Sequence, residues 1–201
     1  MVVVIATRNK HKIQEIGAIL SPFGYEVKSL ADVGLGNMHV EEDGDTFEEN
    51  SLKKAKEVQE ACGFPTIADD SGLMVDALDG APGVYSARYA GHYADDENNN
   101  AKLLYNLHES RNDDRSAKFV AVITMVFPEG DVLCARGECK GHIQHEPTGR
   151  NGFGYDPLFV PEGWDKSFAE LTSAEKNQIS HRAKALFALQ ELLEQRNNIE
   201  K

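Results

Sequence analysis

Val2-Val3-Val4-Ile5-Ala6, followed at once by the turn Thr7-Arg8-Asn9 and then by Lys10–Leu20, decides the fold class. The first five residues are an unbroken, mostly β-branched apolar run, the pattern of a strand buried on both faces. Past the polar turn, Ile13, Ile16, Gly17 and Leu20 recur on one face of a helix, which Ser21-Pro22-Phe23-Gly24 ends. A buried strand feeding an amphipathic helix opens an α/β protein.

Working outward, Val27–Leu30 reads as a second strand. Asp45 and Glu48 read as the N-cap and matching acid of a helix whose face carries Phe47, Ser51, Ala55, Val58 and Cys62. Thr66-Ile67-Ala68 is a short apolar strand that runs into Asp69-Asp70-Ser71-Gly72. Residues 79–91 read as a loop, and Asp95–Leu107 as a helix. Lys118–Phe127 and Val132–Gly141 form an antiparallel hairpin around Pro128-Glu129-Gly130-Asp131. A glycine-rich stretch follows at 149–156, and Ser180 opens a last helix with Leu186, Leu189 and Leu193 on its apolar face. The expectation is one α/β domain, residues 1–201, with a mixed β-sheet flanked by helices.

Composition narrows the function. The chain has 21 Lys and Arg against 33 Asp and Glu, a formal charge of −12. That argues against non-specific nucleic-acid binding, which needs a positive surface to displace counterions. A local cluster of lysines can still hold a small anion. No apolar run approaches the roughly 18 residues of a membrane span, and the opening apolar run is too short for a secretion signal. Three cysteines (Cys62, Cys134, Cys139) give no disulfide framework, so a reducing cytoplasm is expected.

Five constellations could carry chemistry. Thr7-Arg8-Asn9-Lys10-His11-Lys12 lies where a strand's C-terminal end meets a helix N-terminus, a place that offers free N–H groups and cationic side chains to phosphate. It is equally a polar turn with solvated lysines, since the glycines of a P-loop are missing. Glu41-Glu42-Asp43-Gly44-Asp45 is either a solvated acidic loop or an oxygen-rich site for Mg²⁺. Asp69 and Asp70 must point to opposite faces of an extended chain. One of them can therefore face a ligand and act as a metal ligand or base, while the other is bound within the fold. Gly152-Phe153-Gly154-Tyr155-Asp156-Pro157 brings backbone and rings against a flat ligand or makes a tight turn. Lys176, His181 and Arg182 supply donors near a helix start, with Thr172 and Glu175 as a capping box. Cys134, Cys139, His142 and His145 make a poor zinc site. Five extended residues separate the two cysteines by about 16 Å and turn them to opposite faces.

Six ordered blocks then carry a resemblance. They are Thr7–Lys12 (T-x-N-x-x-K), Thr46–Ala55 (T-F-x-E-N-A-x-x-K-A, with Ser51 for the usual Ala), Ala68–Leu73 (A-D-D-S-G-L), Gly80–Tyr89 (G-A-P-G-x-Y-S-A-R-Y), Gly152–Pro157 (G-F-G-Y-D-P) and Leu171–Arg182 (L-x-x-x-E-K-x-x-I-S-H-R). Together the blocks resemble the inosine/xanthosine triphosphate pyrophosphatases, the Ham1-like or RdgB-like enzymes of noncanonical purine nucleotides. The resemblance implies an elongated mixed sheet flanked by helices, with two lobes and a central active-site cleft, as in the ITPase/Maf-like folds. It implies a homodimer, Mg²⁺ dependence, and hydrolysis of ITP, dITP and XTP to monophosphate and pyrophosphate. By motif position Asp70 is the proton acceptor and a metal ligand, with Glu41 or Glu42 as its partner. Thr7, Asn9, Lys12, Asn50, Lys54 and Ser71 are implied around the triphosphate. Phe153, Gly154, Tyr155, Asp156, Lys176, His181 and Arg182 are implied around the base and sugar. The rival readings are a Maf-type pyrophosphatase of other nucleotides and a non-catalytic nucleotide-binding protein.

Overall fold

The computed structural model describes residues 1–91 and 95–199. Its strands are β1 (Val2–Ile5), β2 (Glu26–Ser29), β3 (Thr66–Val75), β4 (Ser116–Val126), β5 (Val132–Ile143) and β6 (Phe159–Pro161). The helices are α1 (Lys10–Leu20), α2 (Phe47–Cys62), α3 (Asp96–Glu109), α4 (Ser173–Ile179) and α5 (His181–Ile199). The strands form a six-stranded sheet in the order β2-β1-β3-β4-β5-β6. β1 is parallel to β2 and to β3, and β5 is antiparallel to β6, so the sheet is mixed as the sequence implies.

The chain divides into two compact units: Met1–Asp70 with Ala121–Gly137 and the chain from Arg182 onward, and Ser71–Val120 with Glu138–His181. In the first unit the sheet is covered on both faces. Val3, Ile5 and Ile67 pack with Ile16, Leu20, Leu186, Leu189 and Leu193 of α1 and α5. Val4, Ala6 and Ala68 pack with Ala55 and Val58 of α2 on the other face. The continuous apolar reading of Val2–Ala6 is therefore correct, and its cause is burial on both sides. The second unit has its own core, in which Phe119, Phe159 and Phe168 meet at ring separations of 4.8–5.9 Å.

Two local expectations need correction. β3 does not stop at Ala68 but continues to Val75, so Asp69 and Asp70 lie inside a strand rather than in a turn after it. Helix α2 is capped one residue later than the sequence suggested. Thr46 accepts from the Glu49 N–H, and the Glu49 carboxylate takes the Thr46 N–H at 3.2 Å. Both Asp45-x-x-Glu48 and Thr46-x-x-Glu49 fit a capping box, and Thr46 is the residue with extended backbone just before the first helical turn. The last hairpin and the Thr172–Glu175 capping box are as read. No helix among the described residues is long and apolar enough to cross a membrane.

Candidate active site

The alternation of β3 sorts its two aspartates. Asp69 shares a side of the strand with Ile67, the side covered by α1 and α5. There Lys12 of α1 meets its Oδ1 at 2.5 Å, and Arg182 of α5 meets its Oδ2 at 2.9 Å. The Arg182 guanidinium also pairs with Glu15 of α1. Burial works against charge on Asp69, yet Arg182 and Lys12 outweigh it and hold the carboxyl far below the usual carboxylate range. Both oxygens of Asp69 are thus held by cations.

Asp70 points to the α2 side, with Ala68. Lys54 of α2 donates to Asp70 Oδ1 at 3.0 Å, to Glu42 Oε1 at 2.8 Å and to the Asp69 carbonyl at 2.8 Å. The other Asp70 oxygen, Oδ2, is buried and has no hydrogen-bond partner. Burial pushes the Asp70 carboxyl above its ordinary range, against the pull of Lys54 and Lys12, and Glu42 adds to the rise. Burial also opposes charge on Lys54, but Asp70 and Glu42 lift its ammonium above the ordinary range. Lys54 is shared between two carboxylates, and Asp70 keeps one unsatisfied acceptor.

Several expected phosphate contacts serve the fold in this structure. Asn9 is the N-cap of α1: its Oδ1 accepts from the His11 and Lys12 N–H groups at 3.0 and 3.2 Å. Thr7 Oγ1 accepts from the Asn9 N–H at 3.1 Å. Arg8, Lys10 and His11 are exposed, and Arg8 Nη2 lies 3.3 Å from His39 Nδ1. Asn50 is buried and grips the acidic loop, accepting from Gly44 N–H at 2.8 Å and donating to Gly44 O at 3.3 Å. It thereby fixes the loop that carries Glu41 and Glu42. Glu41 is exposed, Glu42 is half-buried against Lys54, and Ser71 is half-buried next along β3.

In the second unit the Gly152–Pro157 turn is built around Asp156. Its Oδ2 accepts the Phe153 N–H at 2.9 Å and the Lys176 ammonium at 2.6 Å. Gly152 has φ +75°, and a Cβ there would stand 1.9 Å from that oxygen, so only glycine fits. The Lys176 Nζ lies 5.1 Å from the centre of the Phe153 ring. Phe153 and Gly154 are half-exposed, and His181 stacks on Phe119 at 4.7 Å. Tyr155 is placed differently from the expectation of a ring lining the base. It is buried, and its hydroxyl donates to Ser86 O at 2.8 Å. A surface groove of about 550 Å³ in this unit, lined by Asp76, Lys118, Lys140, His142 and Glu162, contains none of these residues.

A model of the Ham1 family matches residues 3–192. The chain belongs to the Ham1 family. It is 49% identical over 193 residues to the dITP/XTP pyrophosphatase of Bacillus licheniformis, covering 96% of this chain and 98% of that one. It is 53% identical over 184 residues to that of Lactiplantibacillus plantarum, covering 91% and 90%. The Ham1 protein of Staphylococcus aureus superposes with a TM-score of 0.86 at 42% identity, covering 98% of this chain and all (100%) of the other. The nucleoside-triphosphatase (dITP/XTP pyrophosphatase) of Mycobacterium abscessus gives 0.75 at 46%, covering 94% and 98%.

Three residues outside the motif blocks contribute to this Ham1 chain's clusters. Glu15 completes the Asp69 network through Arg182. Asp96 and Asn100, one turn apart on α3, hold Gly154 from both ends: Asp96 Oδ2 accepts its N–H at 2.7 Å, and Asn100 Nδ2 donates to its carbonyl at 2.9 Å. The i,i+4 spacing of Asp96 and Asn100 marks a shared helix face, but nothing local says what that face grips. Arg182, which the resemblance offers as a base-reading donor, is buried and its guanidinium meets Asp69 and Glu15.

Proposed function

We propose that this chain hydrolyses noncanonical purine nucleoside triphosphates (dITP, XTP and ITP) to the monophosphate and pyrophosphate, with water added across the α–β phosphoanhydride. The observation that carries the chemistry is Asp70: a buried carboxylate with one unpartnered oxygen, next to a lysine that it shares with Glu42. Family membership supplies the substrate class, since the relatives named above are dITP/XTP pyrophosphatases.

The Asp70 cluster also fits a divalent cation. Among the described residues no group of three or more His, Cys, Asp or Glu side chains is arranged as a metal cage. Mg²⁺ does not need one, because it binds through one or two carboxylates and keeps its other positions for water and substrate phosphate. Asp70 and the Glu41–Glu42 pair would hold it. When bound, Mg²⁺ neutralises phosphate oxygens and acidifies a coordinated water. Asp70, its proton affinity raised by burial, accepts the proton from the attacking water. Lys54 and Lys12 meet the charge that develops on departing pyrophosphate, and the Thr7 hydroxyl and the Asn9 side-chain amide donate to its oxygens. The acidic loop stays in place because Asn50 holds Gly44.

On the base side, Phe153 offers a stacking face, and Lys176 and His181 are donors suited to the 6-oxo group of hypoxanthine or xanthine. Adenine presents an amino group there, and two donors left facing each other cost about 1–3 kcal/mol. Arg182 supports the site from behind Lys12. A cytoplasmic, homodimeric enzyme is part of this reading. The test is a product assay with XTP, dITP, ITP, ATP, dTTP and UTP. Mg²⁺-dependent pyrophosphate release from the first three, at rates well above the others, is expected. Orthophosphate as the first product, or faster turnover of dTTP and UTP, would overturn the reading.

A further inference from the structure

We propose that Glu15 is a positioning residue that sets how strongly Lys12 is offered to the triphosphate, an inference that rests on the reading that Lys12 meets phosphate. The geometry is a chain of four alternating charges. Lys12 is held by Asp69 at 2.5 Å, Asp69 is held by the Arg182 Nε at 2.9 Å, and a second nitrogen of Arg182 is held by Glu15. Asp69 and Arg182 are almost wholly buried; the side chains of Lys12 and Glu15 are 15% and 14% exposed. The two buried charges lie between Lys12 and Glu15, the members with access to solvent.

Lys12 and Glu15 are also three residues apart on α1, so they are neighbours on one helix face. Glu15 therefore acts on Lys12 by two routes of the same sign. Its own charge lowers the positive potential near Lys12. By drawing on Arg182 it also leaves Asp69 with more negative charge to spend on holding the lysine. Removing the charge at Glu15 leaves more of the Arg182 charge to Asp69, which weakens the hold on Lys12 and makes the surroundings more positive. A merely structural ion pair makes the opposite forecast, because breaking it loosens the network and weakens ligand binding.

The experiment uses the full chain. Inorganic tripolyphosphate is titrated by calorimetry without divalent ions, and KM and kcat for XTP are measured with Mg²⁺, for the wild type, Glu15→Gln, Glu15→Asp and Lys12→Ala. For the loss of one nearby, partly screened unit charge, Glu15→Gln is expected to tighten tripolyphosphate about three- to ten-fold. KM should fall in parallel and kcat should not rise, since pyrophosphate leaves more slowly. Glu15→Asp keeps the charge and should stay within about twofold of wild type in dissociation constant, even where its melting temperature falls; it carries the test should Glu15→Gln fail to fold. Unchanged or weaker tripolyphosphate binding by folded Glu15→Gln, or a shift beyond about fivefold in Glu15→Asp, overturns the inference. Lys12→Ala separates the two levels. If it leaves tripolyphosphate binding unchanged, the phosphate role of Lys12 fails; if it weakens binding while Glu15→Gln fails to tighten it, only the role of Glu15 fails.

Discussion

Asp69 and Asp70 are neighbours on one strand, chemically identical and both buried, yet they occupy opposite electrostatic settings. Asp69 has a cation on each oxygen, Lys12 on one and Arg182 on the other. Asp70 shares one lysine with Glu42 and keeps an oxygen with no partner. Burying a charge is costly unless it is paired, so a fully paired carboxylate serves structure, and an incompletely paired one is held in readiness for a ligand or a proton. The strand pleat makes the difference, because consecutive side chains see different helices: α1 and α5 on one side, α2 on the other.

The sharpest way to break this contrast is to neutralise each aspartate in turn. Asp70→Asn is expected to keep the fold, since the amide is nearly isosteric and removes a charge that burial disfavours. Turnover should drop about 10³- to 10⁴-fold, with loss of the proton acceptor and of a charged metal ligand. Pyrophosphate release and a thermal melt check both halves. Turnover within tenfold of wild type would remove Asp70 from the chemistry.

Asp69→Asn should act the other way. It leaves Arg182 buried with Glu15 as its one remaining carboxylate among the contacts described above, and breaking a buried pair costs about 3 kcal/mol or more. Urea denaturation should show that loss, while the folded fraction keeps turnover within about tenfold. If Asp69→Asn proves more stable than Asp70→Asn, the assignment of structural and chemical roles is reversed.

A smaller effect sharpens the comparison from the cation's side. Lys54→Met keeps most of the buried volume and removes the charge that Asp70 and Glu42 share. Two carboxylates left facing each other have more need of a divalent ion, so Mn²⁺ binding without nucleotide should tighten by about tenfold in calorimetry, while XTP turnover falls. Unchanged Mn²⁺ affinity would mean that these carboxylates do not form the ion's site.

Much of this was legible in the chain, and the rest was hidden for identifiable reasons. The opposite facing of Asp69 and Asp70 follows from extended backbone alone. The length of β3 does not, because Asp-Asp-Ser-Gly has turn chemistry and low strand propensity. Pairing within the sheet overrides that local preference. Asn9 could be picked out from its place between strand and helix, and Asn50 and Lys54 from the family resemblance, but not the fact that Asn9 caps α1 or that Asn50 holds the acidic loop. Glu15 was invisible, since its partner Arg182 lies at the far end of the chain and no local pattern announces the pair.

The mildest substitution supplies the baseline for the others. Ser51 stands on α2 where the family pattern more often has alanine, on the same side of β3 as Asp70. It is buried, with its hydroxyl 3.2 Å from the Ala68 carbonyl and 2.8 Å from Thr124 Oγ1. Ser51→Ala deletes that neutral hydrogen bonding and should cost about 1 kcal/mol in urea denaturation. It alters no charge, so kcat and KM for XTP should stay within about twofold of wild type. If this uncharged change, which touches the backbone one residue before the Asp69–Asp70 pair, cut turnover tenfold, backbone placement at Ala68 rather than the difference in charge pairing would govern the site. The contrast between the two aspartates would then have to be explained by strand position instead of electrostatics.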